Sequence, residues 1–429
     1  MSGIKALLRR NPLIDTLINL RGNARACIYT EPLWGVPVNL YLPLAAKYME
    51  ALGLDNVKIG VVVTVYLLSQ MLFSLIGGVM TDRLGRRWTT VIADVFAWII
   101  PFLLWMNAQG FAWFVIAAAF NGANRISENS FGLLMVEDTP RHLLVSLYAF
   151  LNIATLLAGF AAPLTSLLVS RFPLVSVMRG LYFFAFLSMA LKMYLLHRLT
   201  RETAAGEARK RELRGKPLGY ALRGSGRVLR SMFRKRELML VLGIMSCVMV
   251  IRSATENFWP LLLTGGLGIG EESLPLLSGL RSVVMLVGYF TLSQRLSPKR
   301  FFKPIGIGLS ILFLLHLMLF LLPRNAAFLV FPGVVAEAVA LSMLIPLFSS
   351  LQMLLLDQSE RARMFGFSLA FSLLVTSPFG TLNGFLSKWH LALPMLLSAL
   401  LALAALFLLM KLRAALDVET LDEPETANA

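Results

Sequence analysis

Apolar residues in this chain arrive in stretches of about twenty, separated by short polar turns. Each stretch is long enough to cross ~30 Å of hydrocarbon at ~1.5 Å rise per residue. Inside hydrocarbon a backbone must satisfy its own hydrogen bonds, so the stretches are read as helices. Run length and breaker residues place twelve of them, at roughly 26–49, 57–80, 88–107, 111–134, 143–169, 175–197, 238–264, 274–294, 303–322, 327–355, 364–387 and 391–411. The stretch at 111–134 is the least hydrophobic, and hydropathy alone would miss it. The pattern predicts an all-α integral membrane protein.

Composition agrees. Of 429 residues 57% are hydrophobic and 15% charged, and the mean hydropathy is +0.72. A soluble domain runs nearer 45–50% apolar and ~25% charged. The N-terminus carries Arg9 and Arg10 and no small-residue cleavage pattern, so no cleaved signal peptide is expected. A net charge of +16 would suggest nucleic acid in a soluble protein. Here, with the N-terminus taken as cytoplasmic, 30 of the 40 Lys and Arg residues fall in inward segments and six in outward loops. Arg125, Lys192, Arg252 and Arg281 lie inside spans. That bias places both termini in the cytoplasm of a multi-pass plasma-membrane protein, with no nucleic-acid partner. Cys27 and Cys247 make no metal spacing and no disulfide framework, and the four histidines are scattered.

The longest polar stretch runs from about Arg198 to Glu237 and divides the chain. The expected organisation is a cytoplasmic segment (1–25), a six-helix bundle (26–197), a basic cytoplasmic linker (198–237), a second six-helix bundle (238–411) and an acidic cytoplasmic tail (412–429). An amphipathic helix is expected in the linker near Leu218–Phe233, lying on anionic headgroups. A weak internal repeat relates the halves. Pro163 and Pro378 lie 215 positions apart, and Glu137-Asp138-Thr139-Pro140-Arg141 is echoed by Asp357-Gln358-Ser359-Glu360-Arg361. A match of Thr30-Glu31…Trp34 with Thr255-Glu256…Trp259 needs a different offset, 225, and is set aside.

Between the second and third spans stands Gly78-Val79-Met80-Thr81-Asp82-Arg83-Leu84-Gly85-Arg86-Arg87. It resembles the signature loop of the major facilitator superfamily, G-x-x-x-D-R/K-x-G-R/K-R/K, with every defined position filled. Gln294–Arg300 resembles the degenerate second copy. The resemblance covers essentially the whole chain and implies two pseudo-symmetric six-helix bundles that alternate access to a central site. It further implies that the loop belongs to a network holding the cytoplasmic side closed in the outward-open state. On the residues alone, Gly78 lets two helices approach and Gly85 permits a tight turn. Asp82 is an acid at a helix end among cations, and Glu137 and Asp138 are expected partners for Arg83 and Arg86. With Arg87, these eight form the expected gate. Gly159 and Pro163 partly match a motif associated with antiporters in the family, which favours efflux, although Ala162 stands where glycine is expected.

An ionisable group in a span costs about 3 kcal/mol or more and is a candidate site by default. The fourth span carries Asn121, Asn124, Arg125 and Glu128 at helical spacing, read as one polar face toward a cavity between the halves. Arg125 and Glu128 are spaced to pair, as are Arg252 and Glu256 in the seventh span, where Asn257 follows. Glu31 precedes Pro32, Gly35 and Pro37 in the first span. Glu337 has no opposite charge within a turn, so it must be protonated, partnered from another helix or facing water, the profile of a proton-coupling residue.

The expected function is secondary active transport of a small molecule by alternating access, proton-coupled. Arg125 and Arg252 suit an anion, Glu31 and Glu256 a cation, and the Phe, Met and Trp of the spans a lipophilic cargo. The expected partners are that cargo, protons and membrane lipid, with the chain a monomer. No cofactor or metal is expected. No nucleophile–base pair, metal-ligand cluster or phosphate loop supports an enzyme. The alternative is a non-transporting sensor or scaffold of the same fold.

Overall fold

The computed structural model describes residues 20–140, 143–215, 225–291, 301–356 and 361–415. Calls on segment 1–19, on the second loop copy 294–300, on the echo at 357–360 and on the tail beyond 415 lie outside the described residues. Among those described there is helix and no strand.

Twelve membrane-length rods and two linker helices follow in order. Rod α1 runs from Gly22 to Ala51 as Gly22–Thr30, Pro32–Tyr41, a 3-10 turn Leu42–Leu44 and Ala45–Ala51. Rods α2 (Asn56–Leu84) and α3 (Arg86–Met106) come next; α3 contains a π-helical turn, Val95–Ile99. Rod α4 is Phe111–Asn121 followed by Asn124–Val136. Rod α5 is Leu144–Ala158, a 3-10 turn Gly159–Ala161 and Ala162–Val169, and α6 is Leu174–Leu199. The linker supplies α7 (Ala204–Leu213) and α8 (Ser225–Arg234). The second half contains α9 (Arg236–Asn257, continuing through Leu262–Gly266), α10 (Ser273–Thr291), α11 (Phe302–Leu321), α12 (Val330–Leu355), α13 (Arg361–Trp389) and α14 (Leu393–Ala415).

Nine of these rods are long and apolar enough to cross a membrane. The other three, α1, α4 and α5, are interrupted, and α4 is the rod that hydropathy was expected to miss. Corresponding rods of the halves, such as α3 and α11, begin at an offset close to the 215 of the proline match. The expected linker helix is present as α8, with 216–224 outside the described residues. Helix α7 was not anticipated.

Carbonyls that prolines free within the rods are met by side chains, from a neighbouring helix or from the same one. Proline removes an N–H and frees the carbonyl four residues back, and in a membrane that oxygen needs another donor. The Leu33 carbonyl, freed by Pro37, accepts from the Ser188 hydroxyl of α6 at 2.6 Å. The Ala97 carbonyl, freed by Pro101, accepts from the Asn121 amide of α4 at 2.7 Å. On α13, Pro378 frees the Leu374 carbonyl, which accepts from Ser377 at 3.0 Å.

The halves meet chiefly along α2 against α13 and α5 against α10. The contact is tightest at the end away from the linker. There a Cβ on Gly60 would overlap the Gly380 carbonyl, and one on Gly384 would sit 2.6 Å from the Asn56 carbonyl. Thr64 donates to the Ser377 carbonyl at 2.8 Å, and Asn56 donates to the Ser387 hydroxyl at 2.9 Å. At the same end, one apolar cluster holds residues of both halves, including Tyr48, Phe102 and Tyr182 with Phe258, Leu262 and Leu315. Lys47 and Glu271 face each other there at 3.6 Å. At the linker end each half keeps its own cluster: Cys27, Leu134, Leu147 and Leu196 in the first, Met232, Leu238, Leu242 and Met364 in the second. The molecule is closed at the end opposite the linker.

Candidate functional site

Four polar groupings occupy this frame. The first lies midway along the halves' shared surface. Gln70 of α2 donates to the Asn124 side-chain oxygen at 3.1 Å, and Asn124 donates to the Tyr66 hydroxyl at 2.9 Å. Arg125 binds Glu128 at 2.6 Å and donates to Gln70 at 3.4 Å. From the other half, Arg252 and Glu256 of α9 pair at 3.3 Å. Tyr66 packs against Val63, Leu67 and Leu373 in a cluster that Met249 of α9, within a turn of Arg252, also joins, so the network lies where α9 approaches α2. Glu128, Arg252 and Glu256 keep 68%, 48% and 43% of their side-chain surface exposed although they lie mid-helix. Both expected intrahelical pairs are present. Asn257 turns back on its own helix, donating to the Ser253 carbonyl at 2.9 Å.

Asn121 does not share this face. The helix breaks at Gly122, which is seated against Ser69 and Gln70 of α2. That break rotates Asn121 toward α3, where its amide is committed to the carbonyl left by Pro101. The regular periodicity assumed across 121–128 fails at the break.

The second grouping is buried within the first half. Glu31 and Lys192 of α6 pair at 2.8 Å, both under one-tenth exposed. The Lys192 ammonium also lies 4.8 Å from the Phe131 ring centroid and 5.8 Å from that of Trp34. Asp94 of α3 accepts from Ser127 nearby. Glu31 is therefore a paired interior acid, and Lys192 and Asp94, not among the expected site residues, are its companions.

In the second half, Glu337 is partnered from another helix: the Arg281 guanidinium of α10 donates to it. The Arg281 guanidinium also lies 5.6 Å from the Trp259 ring centroid. His316 of α11 is buried beside them, its Nδ1 within 2.8 Å of the Leu312 carbonyl and its Nε2 within 3.3 Å of the Thr255 hydroxyl. His316, Thr255, Trp259 and Glu337 line one small cavity. Four helices carry this cluster, so local spacing could not reveal it; the sequence signal was three ionisable groups, Arg281, His316 and Glu337, inside apolar runs.

The fourth grouping is the loop between α2 and α3. Gly85 adopts φ +88°, a left-handed conformation that suits glycine. Glu202, entering the linker, accepts from the backbone N–H groups of Arg86 (2.8 Å) and Arg87 (3.2 Å) and so caps α3. Arg86 is buried and grips the Glu137 carboxylate through Nε at 3.0 Å and Nη2 at 2.9 Å, while Nη1 reaches Asp82 at 3.1 Å. Thr203 donates to Glu137, and Arg209 of α7 reaches Asp82 at 3.4 Å. Hydrogen bonding to Glu212, then Asp82, raises the Arg209 pKa above its ordinary value. Arg87 donates to the His197 carbonyl.

Two expectations change. Gly78 faces open space, and it is at Gly77, one residue earlier, that a Cβ would stand 3.4 Å from Ile126; about 100° of helical rotation separates the two. Asp138 accepts at 3.5 Å from the Ala204 N–H, and Glu137 serves Arg86. The partners of Asp82, Arg86 and Glu137 named here belong to the first half and the linker, in a molecule closed at the opposite end.

Compared with known proteins, residues 35–380 match the profile of the Major Facilitator Superfamily. No curated protein sequence matches the chain significantly. Among solved structures, a variant of the nucleoside transporter NupG is similar with TM-score 0.72 at 11% identity, over 91% of this chain and 100% of that one. A D-xylose-proton symporter gives 0.70 at 15% identity over 90% and 96%. The E. coli xylose transporter XylE in an inward open conformation gives 0.67 at 15% identity over 92% and 99%.

Proposed function

The chain belongs to the Major Facilitator Superfamily, and from that premise we propose that it is a proton-coupled secondary transporter of a polar organic solute, working by alternating access. The observation that carries this reading is a polar network on the surface the halves share: Gln70, Asn124, Arg125 and Glu128 around Tyr66 on one side, and on the other the half-exposed Arg252–Glu256 pair of α9, within a turn of the Met249 that packs in the same cluster as Tyr66. A solute seated there touches both halves, so its binding free energy differs between their two arrangements, as a ligand-driven switch requires. Amide groups, a hydroxyl and two ion pairs of opposite orientation suit a hydrophilic cargo. Nucleosides and D-xylose, named for the similar structures, belong to that class.

Proton coupling is assigned to Glu337. Protonation would neutralise the anion that holds Arg281. Arg281 lies between Gly279 and Ser282, the α10 residues seated against Pro163 and Gly159 of the other half. A proton arriving at Glu337 thus loosens a residue within one turn of the seam. That seam also accounts for Gly159 and Pro163 by packing, independently of transport direction. With both termini cytoplasmic, the linker end faces inward and the described arrangement is inward-facing.

The test is proton flux in liposomes holding a pH-sensitive dye, across a panel of nucleosides, sugars, amino acids and organic anions. The expected outcome is cargo-dependent flux, abolished in Glu337→Gln, with cargo binding retained. Flux surviving in Glu337→Gln would remove the coupling assignment. Neither flux nor radiolabelled uptake with any cargo would favour the sensor or scaffold reading.

A further inference from the structure

The linker face of the first half holds a feature that the transport reading above leaves unassigned. Helix α7 and the loop before α3 border an open cavity of about 690 Å³. Five cations line it, Arg83, Arg87, Lys210, Arg211 and Arg214, against two acids, Glu202 and Glu207. Both acids are already engaged: Glu202 caps α3, and Glu207 pairs with Arg211 at 3.1 Å. Lys210 lies in the last turn of α7 and Arg214 just past its end; both line the cavity, and among the described residues neither meets an acid. Arg87 spends one end of its guanidinium on the His197 carbonyl, while its Nε finds no protein acceptor. The cavity therefore carries net positive charge on long side chains whose donors point into a common space. A tetrahedral dianion or diester phosphate, with several acceptor oxygens, matches that donor set better than a single carboxylate.

Position indicates the source of the phosphate. The cavity lies where α2 ends at Leu84, α3 begins at Arg86 and α6 ends at Leu199, the headgroup level of a membrane protein. Trp88 stands at its wall, 47% exposed, with its ring 4.9 Å from that of His197. Leu84, Tyr194 and Leu199 add exposed apolar surface at the same ends. We infer that this cavity binds the phosphate of an anionic phospholipid headgroup, clamped between Arg87 at the start of α3 and Lys210 and Arg214 at the end of α7. Such a lipid holds α7 down on the α2–α3 loop, where Arg209 already reaches Asp82 and Thr203 reaches Glu137. The inference goes beyond the transport reading and does not depend on it.

The experiment uses the full chain in detergent and native mass spectrometry with three probes: dihexanoyl phosphatidylglycerol, dihexanoyl phosphatidylcholine and inorganic phosphate. The expected result is binding of the glycerol lipid in preference to the choline lipid, weakened roughly tenfold or more in a Lys210→Gln/Arg214→Gln variant. A control, Arg227→Gln/Arg230→Gln, removes the same charge from exposed positions on α8 and should bind as the wild type does. Equal loss in both double variants would replace the pocket with diffuse attraction to a basic linker and overturn the inference. Inorganic phosphate binding as tightly as the lipid would overturn the lipid source and leave a site for free phosphate.

Discussion

Asn121 and Asn124 are the same residue type three positions apart, and they do opposite things. Asn124 belongs to the network around Tyr66, whereas Asn121 satisfies the Ala97 carbonyl. Replacing Asn121 with Leu should cost about 1–3 kcal/mol of stability, since a buried acceptor is left unmade. Its cargo affinity should be unchanged, as read by thermal unfolding beside a binding isotherm. Arg125→Ala should show the reverse: weakened cargo binding with little loss of stability, because its partner Glu128 is largely exposed. Arg86 differs from both, being buried and bound to two acids. Arg86→Ala leaves Glu137 without its guanidinium and should cost about 3–5 kcal/mol, the range for breaking a buried pair.

At the scale of elements, the seam between α2 and α13 is set by backbone proximity. A leucine at Gly60 cannot be accommodated while the Gly380 carbonyl stays in place. Gly60→Leu should therefore hold the far end open. Spin labels on Asp55 and Lys388, which flank the Asn56–Ser387 hydrogen bond, should report a longer distance than in the wild type. An unchanged distance would mean that α2 slides past α13 without opening. Gly78→Ala should be silent in unfolding and in transport, as nothing stands near it. The linker is also an element-scale device: α7 is anchored on the α2–α3 loop, while α8 buries Val228 and Met232 against the second half.

The described residues form two bundles joined by a large apolar cluster at the end away from the linker and a smaller one around Val63, Leu67 and Leu373. Each half also contains a buried ion pair contributed by two helices: Glu31 with Lys192, and Arg281 with Glu337. A buried pair is weak evidence for stability, because desolvation offsets much of the attraction. Residues of that kind are better explained by use than by folding. Lys192→Met should therefore impair transport more than Glu31→Gln/Lys192→Met, since the single change leaves an unpaired buried carboxylate. Comparing the flux and unfolding of the single and double variants checks this directly.

Run length and breaker residues, both one-dimensional signals, suffice to place the twelve rods within a few residues. The hydrocarbon thickness fixes the length of every span, and each span closes its own backbone hydrogen bonds. The α2–α3 loop was legible for the same reason: its chemistry is contiguous in sequence. Pairs at i, i+3 and i, i+4, such as Arg125–Glu128 and Arg252–Glu256, could be read from spacing alone. Tertiary structure decided everything contributed by two or more helices. It gave Glu337 its partner Arg281, gave Glu31 its partner Lys192, brought His316 beside Thr255, and turned Asn121 away from the cavity across the break at Gly122. Glu202 reached the α3 terminus only because the chain returns there after three intervening rods. Which side chains face one another depends on how the rods rotate and cross, and that is fixed by packing between segments distant in sequence.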